Sequence, residues 1–252
     1  MRIALLADIH ANLPALEAVL DDLADRRVDA TWHLGDLVGY APWPNEVVAL
    51  LRARGVAGVA GNYDSTVATD HAHCGCRYED DRQEALSHES YAWTRAYVTA
   101  ATKHALRSLP FRLDVKPLGG HASGPTLVLV HATPTLNTPY WTEDRSARFC
   151  AEMIARAHAR AGDILAFGHT HKPWHRLHDE VHLVNAGSVG RPKDGDWRSC
   201  YALIEFREGT VSVEFVRVAY DIERAVNGIM ESGLPDEFAE ILRTGGTLAG
   251  VD

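Results

Sequence analysis

Asp8 and His10 stand directly behind an apolar run, Ile3 to Ala7. A charged carboxylate beside a core is costly unless something pairs with it, and a metal ion is one such partner. The same juxtaposition recurs along the chain. Asp36 follows Leu34 and Gly35, Asn62 follows Gly61, His131 ends the run Thr126 to Val130, and His169 and His171 stand in a Gly-His-Thr-His stretch. All seven side chains bind hard or borderline divalent ions through oxygen or nitrogen. One ion takes about four to six such ligands, so seven point to two ions sharing a ligand, most simply a carboxylate. A pair about 4 Å apart can hold a bridging hydroxide and both non-bridging oxygens of a phosphate.

Each residue alone also has a plainer role. Asp8 could cap a helix starting near Asn12, Asp36 and Asn62 could be turn residues, and His131 could be a half-buried histidine. What favours ligands is the joint recurrence at successive strand ends. His71, His73, Cys74 and Cys76 suggest a further metal site, but the Cys-x-Cys spacing is tighter than a zinc knuckle, and a polar loop is the favoured reading.

The elements that must position these residues follow from periodicity. Arg2 to Ala7 reads as a buried strand. Asn12 can cap a helix with Pro14 in its first turn, and Leu13, Leu16, Val19, Leu20 and Leu23 form its buried stripe. A second strand over Ala30 to Leu34, a helix over Glu46 to Arg54 and a third strand over Val56 to Ala60 complete a β-α-β-α-β half with a largely parallel sheet. Ligands just past strand ends are where open α/β sheets place their sites. Residues 65–108 break the rhythm and read as a mostly helical insertion over the site. Its Tyr91, Trp93 and Tyr97 either wall the site or are core contacts. Helices over Ser146 to Ala159 and Asp221 to Ser232 bracket strands at Ile164 to Phe167, Trp174 to Leu177, Val181 to Val184, Cys200 to Phe206 and Val211 to Arg217. From Gly245 onward the sequence reads as loosely ordered. No linker or repeat divides residues 1–252, which predicts one domain of two sheets between outer helices.

Bulk properties narrow the function. Of 252 residues, 46% are hydrophobic and 23% charged, and the formal net charge is −9. That acidity disfavours non-specific nucleic-acid binding, which needs clustered Lys and Arg. It leaves an anionic substrate open, because a bound cation reverses the local potential. Asp8 ends the first apolar run too early for a signal peptide, and no run reaches the roughly 18 residues of a membrane span. Four cysteines suggest no disulfide framework, so a cytoplasmic location is expected.

The motifs Asp-Ile-His, Gly-Asp-Leu-Val-Gly, Gly-Asn-Tyr-Asp, Val-His-Ala-Thr-Pro and Gly-His-Thr-His resemble the five motifs of the calcineurin-like metallophosphoesterases, over Met1 to about Arg217. The resemblance implies a four-layer α/β/β/α sandwich with two divalent ions, whether manganese, iron, zinc, cobalt or nickel. It implies Asp8, His10, Asp36 and His171 around one ion, Asp36, Asn62, His131 and His169 around the other, and Asp36 bridging. The stretch Val184 to Asp196 resembles the closing motif of the small bacterial YfcE-like phosphodiesterases and relatives of diadenosine tetraphosphatase. There Asn185 and Ser188 would fix the loop. Arg191 or Lys193 would meet a substrate phosphate, unless the loop is an ordinary surface turn.

Two departures from the family pattern bear on function. Tyr63 stands where many catalytic relatives carry a histidine that assists the leaving oxygen. A phenol near pKa 10 is a poorer acid at neutral pH, though it can donate a hydrogen bond. Val38, Gly39 and Tyr40 replace the Asp-Arg-Gly element of protein phosphatases and classical symmetrical diadenosine tetraphosphatases. The expected activity is therefore hydrolysis of a phosphodiester in a small or nucleotide-like substrate by a bridging hydroxide. His10 and Tyr63 are candidates for the leaving side, and Asn62, Tyr63 and Arg191 for substrate contact. A phosphomonoesterase, a dinucleoside polyphosphate hydrolase, or a non-catalytic metal-stabilised binding module are the alternatives.

Overall fold

Burial along the first strand dictates the layers. In the computed structural model, which describes residues 1–76, 80–116, 124–207 and 210–246, β1 (Arg2–Leu6) buries Ile3 and Leu5 on one face and Ala4 and Leu6 on the other, all completely. A strand that is apolar on both faces must be covered on both. Ala4 and Leu6 meet Leu16, Val19, Leu20 and Leu23 of α1 (Leu13–Arg26) and Val47, Val48 and Leu51 of α2 (Pro44–Ala53). Ile3 and Leu5 instead meet Leu127 and Leu129 of β5 (Leu127–Val130), Ile164 and Ala166 of β6 (Ile164–Phe167) and Val184 of β8 (Val181–Asn185), which belong to a second sheet. The opposite faces of β5, β6 and β8 pack Val128, Val130, Leu165, Phe167 and Leu183 against α6 (Ala147–Ala157). The result is the expected α/β/β/α sandwich.

The first sheet runs β10 (Thr210–Val218), β9 (Ser199–Arg207), β1, β2 (Ala30–His33), β3 (Ala57–Gly58). Strands β1, β2 and β3 are parallel, and β9 joins β1 antiparallel. The second sheet runs β4 (Arg112–Val115), β5, β6, β8, β7 (Trp174–His178), parallel in its middle and antiparallel at both edges. Asn12 caps α1, its side chain accepting from the Ala15 N–H at 3.2 Å. Along the chain, helices α3 (Asn62–Ala68), α4 (Asp81–Tyr97) and α5 (Ala100–Arg107) come between β3 and β4, and α7 (Ile222–Ser232) and α8 (Glu237–Thr244) follow β10.

Two particulars differ from the sequence reading. The third strand is only two residues long, because Ala60 donates to the Pro110 carbonyl at 2.8 Å instead of continuing the ladder. Strand β4 and helix α8 were not expected; both are short, and α8 is held by Phe238, Ile241 and Leu242 in the core. The tail expected from Gly245 lies outside the described residues beyond Gly246.

His33 shows what burial without a partner costs. It lies at the end of β2 beside Gly58, is buried, and its Nδ1 has no hydrogen-bond partner. Burial pushes its pKa down to about 4. The unfolded chain protonates near 6.5, so stability from keeping this ring neutral is complete above pH 6.5 and is lost as pH falls toward 4. The loss is roughly 3 kcal/mol. Urea titrations across that window are expected to show a shallower decline for His33→Gln than for the wild type. Equal slopes would remove His33 as a contributor.

Candidate metal centre

The C-terminal ends of β1, β2, β3, β5 and β6 meet at one edge of the sandwich, and every sequence-predicted ligand hangs from one of them. Asp8, His10 and His171 form one cluster, and Asp36, His131 and His169 another; within each, one ligand atom per residue lies within 4.8 Å of the others. Asp36 stands between the clusters, its Oδ2 at 3.8 Å from His10 Nε2 and 3.5 Å from His131 Nε2. Asn62 Oδ1 is 3.0 Å from His131 Nε2. All seven side chains are buried. No comparable cluster forms around His71, His73, Cys74 and Cys76 among the described residues.

The backbone is strained where these side chains leave it. Asp8, His10, Asp36, His169 and His171 all have φ between 47° and 66°. Left-handed φ is uncommon outside glycine and clusters at functional sites. It turns the chain back on itself directly after each strand, so that ligands from neighbouring loops converge. The loops also crowd one another. A Cβ on Gly61 would lie 2.0 Å from Asp36 Oδ1, which is why the residue before Asn62 carries no side chain.

Hydrogen bonds to carbonyls fix which ring nitrogen of each histidine faces inward. A carbonyl can only accept, so the nitrogen beside it carries the proton and the other keeps a lone pair. His10 Nδ1 donates to Val38 (3.1 Å), His131 Nδ1 to Leu34 (2.8 Å), His169 Nε2 to Thr138 (3.2 Å) and His171 Nδ1 to Arg191 (2.6 Å). The four remaining nitrogens meet in pairs: His10 Nε2 is 3.1 Å from His171 Nε2, and His131 Nε2 is 3.2 Å from His169 Nδ1. Asp8 Oδ2 accepts from the His169 N–H at 2.8 Å, whereas its buried Oδ1 has no hydrogen-bond partner among the described residues and lies 3.7 Å from His171 Nε2. Facing lone pairs and an orphaned carboxylate oxygen need a cation between them. The donor set, four imidazole nitrogens with carboxylate and amide oxygens, fits two divalent ions.

Electrostatics agree. Burial pushes Asp8 up to about 8, with Asp36 adding to the rise. Burial pushes His10 and His169 down to about 3 and His171 well below its ordinary value. Burial would also raise Asp36, but His131, His10 and His169 around it hold it below the usual carboxylate range. Burial would lower His131, yet the carboxylates of Asp36 and Asp8 raise it to about 9.

Supporting residues lie outside this shell. Asp64 staples two ligand loops, accepting from Leu37 N–H at 2.8 Å and Gly61 N–H at 2.9 Å. Ser188 donates to the Asp8 carbonyl at 2.8 Å, and Asn185 to the Gly168 carbonyl at 2.8 Å, so the stretch after β8 clamps two more. The Arg191 guanidinium lies 4.0 Å over the Tyr40 ring and has no carboxylate partner among the described residues. Tyr63 is placed differently from a group facing a reacting oxygen. Its N–H donates to Asp36 Oδ1 at 2.9 Å, but its buried hydroxyl pairs with Ser87 Oγ of α4 at 3.0 Å. Of the three aromatics in residues 65–108, Tyr91 packs edge-on to Tyr63, and Trp93 stacks on Tyr97 while donating to the Ser232 carbonyl. Tyr91 is thus a packing contact, and the Trp93–Tyr97 stack reaches the surface, with Tyr97 55% exposed.

Sequence reasoning missed Tyr140, whose ring stacks on His169 at 4.6 Å, and set aside Cys76, whose sulfur is 3.1 Å from Asn62 Nδ2. Neither lies at a strand end, and only the folded chain brings them in.

Residues 1–209 match the calcineurin-like phosphoesterase superfamily domain. An uncharacterized protein of Methanocaldococcus jannaschii is 31% identical over 96% of this chain and 98% of its own. A crystal structure of a metallophosphoesterase from Sphaerobacter thermophilus is 32% identical with a TM-score of 0.74, covering 97% of this chain and 99% of that one. A hypothetical protein from Pyrococcus horikoshii has a TM-score of 0.80 at 22% identity, covering 98% and 99%, and shares the fold.

Proposed function

The chain belongs to the calcineurin-like phosphoesterase superfamily, and on that premise we propose that it hydrolyses phosphodiester bonds of a small or nucleotide-like substrate with two divalent ions. Asp8, His10, Asp36 and His171 would hold one ion, and Asp36, Asn62, His131 and His169 the other. Such ions, when bound, polarise phosphoryl oxygens and acidify the attacking water. The observation that carries the proposal is the inward aim of four lone-pair nitrogens, each fixed by a backbone carbonyl, around a shared Asp36.

The protein's own part is to position and to exclude. Backbone carbonyls hold the imidazoles as neutral ligands, which raises their basicity and fixes their orientation. Arg191, half-buried on Tyr40, is a cation beside His10 and is assigned to a non-bridging phosphate oxygen. Both nitrogens of His10 are committed, one to Val38 and one to the centre, so His10 is assigned as ligand and not as acid. With the Tyr63 hydroxyl on Ser87 and both His10 nitrogens committed, neither is assigned as an acid to the leaving oxygen, and stable leaving groups are favoured. The segment 65–108 is assigned as a cover on the Asn62 side, where Cys74 and Cys76 approach, within a single domain of 1–252. The described residues contain no helix long and apolar enough to cross a membrane. The four cysteines, none of them in a disulfide among the described residues, suit a cytoplasmic setting.

A screen of metal-loaded protein against phosphodiesters, phosphomonoesters and dinucleoside polyphosphates tests the proposal. Bis-p-nitrophenyl phosphate is expected to turn over faster than p-nitrophenyl phosphate. Faster monoester or polyphosphate turnover replaces the diester assignment, and no turnover with two ions bound favours a binding module. Tyr63→Phe is expected to leave aryl-diester turnover within about twofold, while removing the Ser87 hydrogen bond lowers stability by about 1 kcal/mol. A loss of turnover beyond tenfold, with metals loaded, places the phenol on the reacting atoms.

A further inference from the structure

The amide of Asn62 has two orientations of nearly equal shape and opposite chemistry. In one, Oδ1 faces the second cluster, and Nδ2 donates to Cys76 Sγ at 3.1 Å and the Cys74 carbonyl at 3.4 Å. Turned over, the NH2 group faces His131 Nε2 at 3.0 Å, His169 Nδ1 at 3.1 Å and Asp36 Oδ2 at 3.3 Å, and the oxygen accepts from Tyr63 N–H at 3.2 Å. Without a cation the second orientation satisfies more groups. With a cation it is excluded, because amide hydrogens would point at the ion. The amide must therefore be held oxygen-inward for the second ion to bind.

We infer that Cys76, with the Cys74 carbonyl, is the latch that holds it so, and hence that Cys76 is a positioning residue for the second metal. The inference rests on the proposal that this cluster takes a divalent ion. The Cys74 carbonyl can only accept, and it meets Nδ2 in the inward orientation but the amide oxygen in the other. The Cys76 sulfur accepts in the same direction at shorter range. Both residues lie on the loop after α3, twelve and fourteen positions beyond Asn62, outside every ligand motif. The latch thus couples a loop of the covering segment to the affinity of the ion beneath it. It acts through Asn62 and touches no reacting atom.

Manganese titration of the full-length protein, wild type and variants, tests this. Removing an outer-shell partner typically weakens a metal by about 10–100-fold. Cys76→Ala is expected to weaken the second ion by that factor and leave the first within about twofold, with an unchanged thermal midpoint in chelator. Cys76→Ser keeps an acceptor and is expected to recover most of the loss. In an Asn62→Asp background both termini are oxygens and orientation has no meaning, so adding Cys76→Ala should change affinity by less than about threefold. Two ions bound equally tightly by wild type and Cys76→Ala would overturn the latch alone. A wild type that binds one ion would overturn the dinuclear proposal and the latch together. A sulfur-to-metal charge-transfer band in cobalt-loaded wild type, lost in Cys76→Ser, would make Cys76 a ligand and overturn the positioning role.

Discussion

Asp36→Asn is expected to reduce turnover of bis-p-nitrophenyl phosphate by at least about 10²–10³-fold, the scale seen when one preorganised electrostatic contact is removed from a reacting centre. Two effects combine. The shared carboxylate loses its negative charge where the clusters meet. The amide also has only one comfortable orientation: the Tyr63 N–H, 2.9 Å from Oδ1, needs an oxygen there. The NH2 group then occupies the Oδ2 position, 3.5 Å from His131 Nε2 and 3.8 Å from His10 Nε2. It would donate into lone pairs meant for cations and close the centre from within. Metal content measured beside kcat separates loss of the ions from loss of the chemistry. Near-normal turnover at full loading would rule out Asp36 as the shared ligand.

Loading with divalent ions is expected to raise the thermal midpoint by roughly 10–20 °C relative to chelated protein. A ligand at 100 times its Kd stabilises the folded state by about 2.7 kcal/mol, so two ions contribute about 5 kcal/mol. For a chain of this size each kcal/mol moves the midpoint by about 2–4 °C. The gain is large because ions would separate paired imidazole lone pairs and neutralise a buried Asp8 Oδ1 that has no hydrogen-bond partner. Differential scanning calorimetry in manganese and in chelator gives the number. Midpoints within about 2 °C of each other would mean that the clusters do not hold ions tightly.

The parts of this structure that were legible in the sequence are those governed by local pattern. The unbroken apolar run of β1 declared a strand buried on both faces. Asn12, Pro14 and the leucines behind them declared α1. Glycine beside Asp36, Asn62 and His169 marked loops that crowd together, and the packing of Gly61 against Asp36 is the physical reason. What stayed illegible depends on distant contacts. The third strand was read as longer than two residues because nothing local announces that Pro110 takes the Ala60 N–H. Tyr91, Trp93 and Tyr97 could equally have lined a cleft, and only their partners Tyr63 and Ser232 decide otherwise. The inward nitrogen of each histidine was also beyond reach, because it depends on carbonyls as far away as Leu34 is from His131.

The position of β1 in its sheet has a consequence for how the chain is made. This strand leaves the ribosome about 200 residues ahead of its antiparallel neighbour β9, where Arg2 pairs with Glu205. The Ser188 hydroxyl that holds the Asp8 carbonyl arrives only slightly earlier. At about 5–20 residues per second, β1 waits roughly 10–40 s for that partner. For that interval Ile3, Ala4, Leu5 and Leu6 have β2 on one flank and an open edge on the other. Such an edge is a template for pairing with other chains. A nascent chain stalled before β9 would expose a sticky strand and carry an unfinished centre, so chaperone occupancy of the growing polypeptide should persist until the last two strands emerge.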